Sequence, residues 1–337
     1  MAPLPTLEDV ASRAGVSTAT VSRCLNSPEK VVEQTRNKVM SAVDELGYTP
    51  NFGGRALASR KTNTAGAVIP TMDNAIFASA LQAFQKKLSA AGMTLLVASS
   101  DYNPAQELDQ IRNLVERGAD GLLLIGQERP TASYEYLNKR RIPFVVAWTC
   151  RTDQSFCYVG FDNRLAAMRM AERVIETGHR DIAMISGVTR GNDRAAERVE
   201  GVRDALTMAG IDLTAFRLIE VHYSMDAAGR ALDQLLSPSP PPTAVICGND
   251  VLAAGAVLRA KELGLRVPED ISIVGFDDIE LASVIEPKLT TVHVPHRRMG
   301  AAAAECLLEM QVKQHTVPGR EFTTEIVERE SLGPPNR

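Results

Sequence analysis

The sequence predicts a small all-α head followed by a two-lobed α/β core whose parallel sheets carry helices on both faces. Residues 6–46 contain three short amphipathic stretches. Beyond residue 64, apolar runs of four to seven residues alternate with longer stretches of helical periodicity. Continuous apolar strands separated by helices are typical of parallel sheets buried on both faces. The length of 337 residues allows two domains and a small third one.

The head is predicted to be a helix-turn-helix. Thr6 can cap the first helix, Gly15 can end it, and Ser17 can cap the second helix. A third helix should stop at Gly47. A short helix, a glycine-containing turn and a second short helix are typical of the DNA-binding unit whose second helix enters the major groove.

The second helix carries the chemistry expected of a DNA-reading element. Its hydroxyls and N-terminal N–H groups suit phosphate, and Arg23 can donate two hydrogen bonds to guanine O6 and N7. The alternative is a three-helix head that serves only packing or protein interaction. Charge favours DNA: residues 1–61 hold 8 Lys/Arg against 6 Asp/Glu, whereas the remainder holds 29 against 35. A basic head on an acidic body indicates a polyanion at the head.

The core repeats weakly, because each half contains the same order of strand, helix, strand, helix and strand. We therefore expect two similar lobes, preceded by a small, polar and basic linker. The predicted divisions are a helix-turn-helix head at 1–47, a hinge segment at 48–63 and a core at 64–337, with lobe one at about 64–161 and 290–320 and lobe two at about 162–289 and 321–337.

Several protein classes are excluded. No stretch approaches the ~18–20 apolar residues of a membrane-spanning helix, and the N-terminus lacks the basic region and apolar run of a secretory signal. The five cysteines are odd in number and scattered, which favours reduced thiols in a cytoplasmic protein. A disulfide between Cys150 and Cys157 is the alternative.

Catalytic signatures are missing, so we expect no catalytic residue, metal or cofactor. The sequence lacks the phosphate-loop, dinucleotide, nucleophile-elbow and zinc-helix motifs. Its five histidines are isolated, and surface or capping positions are expected for them. Asp277 and Asp278 follow an apolar strand, where ligand sites of α/β sheets form. Ligand contacts or a helix cap are favoured for this pair over catalysis.

Two stretches of the head resemble a known family. TLEDVASRAGVSTATVSRCLN (6–26) and VVEQTRNKVMSAVDELGYTPN (31–51) are similar to the head of the lactose/galactose repressor (LacI/GalR) family of bacterial transcription factors. The resemblance continues through AGAVIP, GADGLLLIG, ETGHRDIAMISG, GNDVLAAGAV, LGLRVPEDISIVGFDD and PKLTTVHVP, and so covers practically the whole chain.

The resemblance implies a sequence-specific transcriptional regulator, most simply a repressor of a carbohydrate or sugar-acid utilisation operon. It implies a homodimer, in some members a dimer of dimers, on a pseudo-palindromic operator of double-stranded DNA. It also implies a core like a periplasmic sugar-binding protein, with a small-molecule effector held between the lobes.

The family's DNA contacts can be carried over by position. They fall on Thr6, Leu7, Ser17, Thr18, Ala19, Thr20, Ser22, Arg23, Asn26, Thr35, Tyr48 and Asn51. In the family the linker folds on DNA into a hinge helix, and a Leu, here Leu57, wedges into the minor groove. This chain departs from the pattern at Gly53 and Gly54, where Ala commonly fills the second position.

The matching effector positions lie at strand ends that face the gap between lobes. They are Asp73, Asn74, Phe77, Trp148, Phe161, Arg194, Arg198, Asn249 and Asp277. Plain core packing is the alternative for Trp148, and a solvated helix face is the alternative for Arg190, Arg194 and Arg198. If these arginines converge, we expect a sugar acid or a phosphorylated sugar as the ligand.

Two other functions share parts of this pattern. An extracytoplasmic sugar-binding protein would need a signal peptide and no DNA-binding head. An α/β enzyme acting on a sugar would need a catalytic constellation, which the sequence does not contain.

The glycine pair of the hinge generates a prediction. Because each Gly weakens a helix by ~1 kcal/mol relative to Ala, the hinge helix should be unusually unstable off DNA. A Gly54→Ala variant is expected to bind operator more tightly than the wild type, measured by titration of operator DNA. Equal or weaker binding would contradict the idea.

Overall fold

The structure, a computed structural model, describes residues 4–49, 61–150, 156–237 and 239–336. It divides into two compact units, residues 1–62 and 63–337. The first unit is the all-α head. Its elements are α1 (Leu7–Ala14), α2 (Thr18–Asn26), a 3₁₀ turn (Pro28–Lys30) and α3 (Glu33–Leu46).

Local capping chemistry builds the head as predicted. The Thr6 hydroxyl accepts the Asp9 N–H at 3.3 Å, and the Asp9 carboxylate accepts the Thr6 N–H at 2.7 Å, which completes a capping box. Gly15 ends α1 in the left-handed region at φ 67°, and Ser17 caps α2. The helices close on one small core, formed by Val10, Ala11, Val21, Cys24, Val39, Ala42 and Val43.

The second unit contains two parallel sheets. The first sheet has the order β2-β1-β3-β4-β5-β11, and the second has the order β7-β6-β8-β9. The strands of the first sheet are β1 (Thr64–Ile69), β2 (Thr94–Ser99), β3 (Gly121–Ile125), β4 (Phe144–Ala147), β5 (Cys157–Gly160) and β11 (Arg320–Glu321). Those of the second are β6 (Ile182–Gly187), β7 (Arg217–Val221), β8 (Ala244–Cys247) and β9 (Ser272–Val274).

Helices cover both faces of each sheet, which confirms the predicted fold class. The helices of the first lobe are α4 (Ala75–Ala90), α5 (Pro104–Glu116), α6 (Thr131–Arg140) and α12 (His296–Lys313). Those of the second lobe are α7 (Asn163–Glu176), α8 (Asp193–Met208), α9 (Met225–Leu236), α10 (Asp250–Glu262) and the short α11 (Glu280–Val284). One apolar cluster runs from α4 and α12 through to α7 and α8, so the two lobes share a continuous core.

The chain passes between the lobes three times. The first passage lies between β5 and α7, the second runs through β10 (Thr291–His293), and the third runs through β12 (Glu325–Val327). β10 and β12 pair with each other as an antiparallel ribbon. The last residues then return to the second lobe, where Ser331 is fully buried and its carbonyl accepts the Ile273 N–H at 2.9 Å.

The structure corrects two expectations and contains two strands too short to be recognised in the sequence. These strands are β5 and β11, of four and two residues. The surface or capping positions expected for histidines are wrong for His179 and His296, which are buried. All five cysteines are free thiols, so Cys150 and Cys157 are not bridged. Among the described residues, no helix has the length and apolar character needed to cross a membrane.

Candidate functional site

The exposed face of α2 gathers the polar side chains predicted to contact DNA. Thr18, Ala19, Arg23 and Asn26 are exposed, while Val21 and Cys24 on the opposite face are buried in the head core. α2 has no acidic residue in its first turn, so nothing on the helix itself opposes a phosphate at its positive N-terminal end. The face therefore combines small side chains with one free-standing guanidinium.

Two hydrogen bonds organise the hydroxyls of this face. The Ser17 and Thr20 hydroxyls lie 2.9 Å apart, and the Asn26 amide donates to the Ser22 hydroxyl at 3.3 Å. A hydroxyl both donates and accepts, so these groups keep capacity for a phosphate oxygen or a base edge.

The remaining predicted DNA contacts lie elsewhere in the head. Thr6 is exposed at the start of α1, and Leu7, Thr35 and Tyr48 are half-buried. Leu7 and Tyr48 pack against the head core, which gives each a structural role as well. Asn51 and Leu57, and the glycine pair of the hinge, lie outside the described residues.

Among the effector candidates, Arg194 lines a small cavity between the lobes of the core. Beside Asp277, at the strand ends of the second lobe, lies the buried Arg198. Its Nε donates to the Asn163 side chain at 3.0 Å, and its Nη1 donates to the Gly248 carbonyl at 2.7 Å. Its guanidinium carbon lies 3.8 Å from the centre of the Phe276 ring, and Nη2 lies 3.6 Å from Asp277 Oδ1. One buried cation thus joins α7 to the carboxyl ends of β8 and β9.

Asp277 and His296 meet beside this cation. Asp277 Oδ1 and His296 Nε2 are 3.8 Å apart, too far for a hydrogen bond. Both atoms are buried, and neither has a hydrogen-bond partner within the described part of the chain. Burial raises the pKa of Asp277 to about 6, against the opposing effect of Arg198 and Arg194. Burial, together with Arg198, lowers the pKa of His296 to about 3, so the imidazole is neutral.

A group of buried aromatic side chains lies next to His296 and Arg198. Trp148 donates its indole N–H to His296 Nδ1 at 3.2 Å, and its ring meets Phe77 edge-on with centres 5.4 Å apart. Its carbonyl accepts the side-chain amide of Asn163 at 2.9 Å. Phe161 stacks on Phe276 with ring centres 6.1 Å apart. Trp148 is 1% exposed, so it packs in the core and also borders the cleft.

Other predicted effector residues have different surroundings. Asn74 and Asn249 are buried and cap α4 and α10 respectively. Asp73 is exposed, and its N–H donates to the Thr71 hydroxyl at 3.1 Å. Arg190 is exposed, so the solvated alternative holds for it. Arg194 is buried and donates to the adjacent Asp193 carboxylate at 2.8 Å.

The cleft is closed in this structure. A cavity of about 20 Å³ remains between the lobes, room for about one water molecule. Its lining includes Val68, Ser100, Tyr102, Glu107, Ile125, Gly191 and Arg194. The cavity as it stands therefore holds no ligand larger than about one water molecule.

Several cleft residues were absent from the sequence prediction. They are Tyr102, Glu107, Arg129, Asn163, Asp193, Tyr223, Phe276 and His296. Tyr102 of the first lobe and Tyr223 of the second face each other with ring centres 5.8 Å apart. Two of them could have been found from their position in the sequence. Asn163 and Phe276 follow the ends of β5 and β9, and ligand sites of parallel sheets form at such ends.

A second buried carboxyl, that of Asp250, lies near Asp277. Asp250 accepts the Thr291 hydroxyl at 2.5 Å and the Ile279 N–H at 2.8 Å. Burial, reinforced by the nearby Asp277, raises the pKa of Asp250 to about 8. Within the described ranges, no group of three or more His, Cys, Asp or Glu side chains could hold a metal ion.

The buried carboxyl of Asp277 generates a prediction about pH. Its pKa is about 6 in the folded state and ordinarily 3.8, so the folded protein holds the proton more tightly between these values. The free energy of unfolding of the wild type, relative to Asp277→Asn, is expected to fall as pH rises from about 4 to about 6. The fall is on the order of 3 kcal/mol, and the difference should be level above about pH 7.

Urea unfolding at stepped pH, followed by the fluorescence of the single Trp, measures this difference. Asp204→Asn is the matched control, because Asp204 is only half-buried and the hydrogen bond from Arg164 lowers its pKa. Its contribution is lost only below the ordinary value of 3.8, so its curve should run parallel to the wild type from pH ~4 to ~6. Parallel curves for Asp277→Asn and the wild type would contradict the prediction.

Models of known protein families match segments of both the head and the core. The model for bacterial regulatory proteins of the lacI family matches residues 6–51, and that for a periplasmic binding protein-like domain matches residues 171–332. The chain is 36% identical to the HTH-type transcriptional repressor PurR of Erwinia tasmaniensis over 98% of this chain and 97% of the relative.

Solved structures share the fold over nearly the whole length. One is the Lac repressor dimer bound to operator and the anti-inducer ONPF (TM-score 0.86, 26% identity, 98% of this chain and 100% of that one). Another is the transcriptional regulator CelR–cellobiose complex (TM-score 0.71, 31% identity, 97% and 99%). The chain therefore belongs to the LacI family of bacterial regulatory proteins, and is a DNA-binding transcriptional repressor with an effector-binding core rather than an enzyme.

Proposed function

We propose that this repressor controls a carbohydrate or sugar-acid utilisation operon through an effector bound between the lobes of its core. The observation that carries the proposal is the pair Asp277 Oδ1 and His296 Nε2, which are buried beside Arg198 and make no hydrogen bond within the described residues. Buried polar atoms are normally hydrogen-bonded. A ligand hydroxyl, which both donates and accepts, would satisfy a carboxylate and an imidazole N–H together.

The surroundings of this pair suit a sugar ring. Phe77, Trp148, Phe161 and Phe276 supply apolar faces, while Arg198 and Asp277 supply fixed polar groups. A mostly apolar site with a few convergent polar groups is typical of small-molecule pockets. The similar CelR structure, a complex with cellobiose, supports a carbohydrate as the ligand class. Sugar acids and phosphorylated sugars remain in the proposal, because Arg194 and Arg198 both reach the cleft.

At the other end of the chain, we propose that α2 reads the operator. The proposed contacts are Ser17, Thr18, Ala19, Thr20, Ser22, Arg23 and Asn26 on or next to α2, with Thr6, Leu7, Thr35 and Tyr48 beside them and Asn51 and Leu57 from the hinge. A homodimer acting in the cytoplasm would bind a pseudo-palindromic operator, as the dimeric Lac repressor–operator structure suggests, and a tetramer is the alternative assembly.

Coupling between the two ends follows from linkage. An effector with different affinities for the open and closed cleft shifts the population between them. The first lobe follows the hinge segment directly in sequence, so its position would set whether both heads of a dimer reach one operator. A coupling of ~1–3 kcal/mol would give roughly 5–150-fold control of DNA binding.

The DNA half of the proposal is tested by selecting genomic DNA fragments on the purified protein. The wild type is expected to retain one palindromic sequence. Arg23→Ala should bind that sequence about 5–150-fold more weakly, the loss of ~1–3 kcal/mol from one bidentate guanine contact. Arg13→Ala is the matched control, because Arg13 is an exposed arginine of the same head that pairs with Glu45. Equal losses for both variants, or fragments without a shared sequence, would reject the proposal.

The effector half is tested by thermal shift with neutral sugars, sugar acids and sugar phosphates. A ligand at 100 times its Kd adds about 2.7 kcal/mol of stability, which raises the Tm by several degrees. Arg198→Ala is expected to abolish the ligand-dependent rise, whereas Arg190→Ala, at an exposed arginine, should keep it. If no carbohydrate of any charge class raises the Tm, the proposed ligand class is wrong.

A further inference from the structure

The carboxylate of Asp193 is held from both lobes at once. Its Oδ2 accepts the backbone N–H of Gln127 at 2.8 Å, and its Oδ1 accepts Nη1 of Arg194 at 2.8 Å. Gln127 follows β3 in the first lobe, whereas Asp193 and Arg194 open α8 in the second. Both charged side chains are about one-tenth exposed. One backbone N–H and one guanidinium are the donors with which proteins bind a ligand carboxylate or phosphate; we call this pair of donors the anion seat.

The anion seat has no room for a second occupant while Asp193 is in place. Gly126 precedes Gln127 and adopts the left-handed region at φ 71°. A Cβ at this position would overlap both Arg194 Nη1 and Asp193 Oδ1. The first lobe therefore contacts the Asp193–Arg194 ion pair with backbone atoms of Gly126 and Gln127. A ligand carboxylate could bind the two donors only if it displaced the carboxylate of Asp193.

Charge around the anion seat is already balanced. Beside Arg194 and Asp193 lies Arg129, whose fully buried side chain pairs with Glu107 at 3.1 Å. Arg129 also donates to the Gly126 carbonyl at 2.7 Å, which fixes the backbone that presents the Gln127 N–H. Two cations thus face two anions. An anionic ligand would add an uncompensated charge to a dry site, which is costly.

We propose that Asp193 is a specificity-determining residue of the effector cleft: it fills the anion seat from within the chain, so that the wild type takes a ligand that is uncharged at this position. This proposal rests on the proposed effector site and narrows its ligand class to molecules that bring no carboxylate or phosphate to the seat. Removing the carboxylate takes its two oxygens away from the Gln127 N–H and the Arg194 guanidinium, and adds one unit of positive charge between the lobes.

The test is binding of inorganic phosphate to full-length Asp193→Ala, with sodium chloride at matched ionic strength as the reference. We expect a saturable rise in Tm with phosphate and an apparent affinity at least about tenfold tighter than that of the wild type, in line with the value of a charge-assisted anion contact. Asp204→Ala is the matched control, because it removes the same charge from the same helix and frees Arg164 at the surface. It should show no phosphate-specific rise.

Asp193→Ser serves as a second variant, since its shorter side chain also vacates the seat and removes the charge while keeping a polar group at the start of α8. If it folds and the alanine variant does not, it is expected to gain phosphate binding in the same sense. The wild type supplies a further measurement through matched pairs of ligands, glucose against gluconate and ribose against ribose 5-phosphate. Stronger stabilisation by the anionic member of the pairs, or no phosphate gain in either folded variant, overturns the proposal.

These outcomes separate the anion seat from the proposed function. Phosphate gain in Asp193→Ala without any carbohydrate response of the wild type would uphold the seat and reject the carbohydrate effector. If carbohydrates stabilise the wild type but Asp193→Ala gains no phosphate binding, the carbohydrate effector is supported and the anion seat is rejected.

Discussion

The packing of the second lobe depends on the burial of one positive charge. Arg198 is 5% exposed, and an uncompensated guanidinium at that depth would cost several kcal/mol. Its compensation comes from Asn163, Gly248, Asp277 and the face of Phe276. These partners belong to the start of α7 and to the ends of two strands of the second sheet, so satisfying one side chain fixes the relative position of three segments of the second lobe. The side chain of Asn163 also links Arg198 to Trp148, because its amide N–H donates to the Trp148 carbonyl.

How much the sequence predicts depends on the range of the interactions involved. The head was predicted down to its caps, because Thr6 and Asp9, or Ser17 and Thr20, are three residues apart and their chemistry is visible in the sequence. Most strands of the core were predicted from their apolar runs. β5 and β11 were missed because four and two residues leave too little pattern to recognise.

The cleft was predicted only in part, for the same physical reason. Arg198 and Asp277 stand at positions that the family pattern marks. By contrast, the bond from Gln127 to Asp193 spans 66 residues and that from Trp148 to His296 spans 148. Nothing near Asp193 in the sequence indicates that its carboxylate faces a backbone N–H of the other lobe. His296 looks like an isolated polar residue until the fold buries it, and burial is what keeps it neutral.

The pairing of β10 with β12 limits how the lobes can move. Two of the three passages between the lobes are hydrogen-bonded to each other, with Thr291 opposite Val327 and His293 opposite Glu325. The passages through β10 and β12 must therefore bend together as one ribbon. The passage between β5 and α7, next to Asn163, bends separately. The core then has two mechanical hinges instead of three, which favours rotation about the line that joins them over sliding or free separation. A ligand that contacts both lobes would accordingly act on the angle between them.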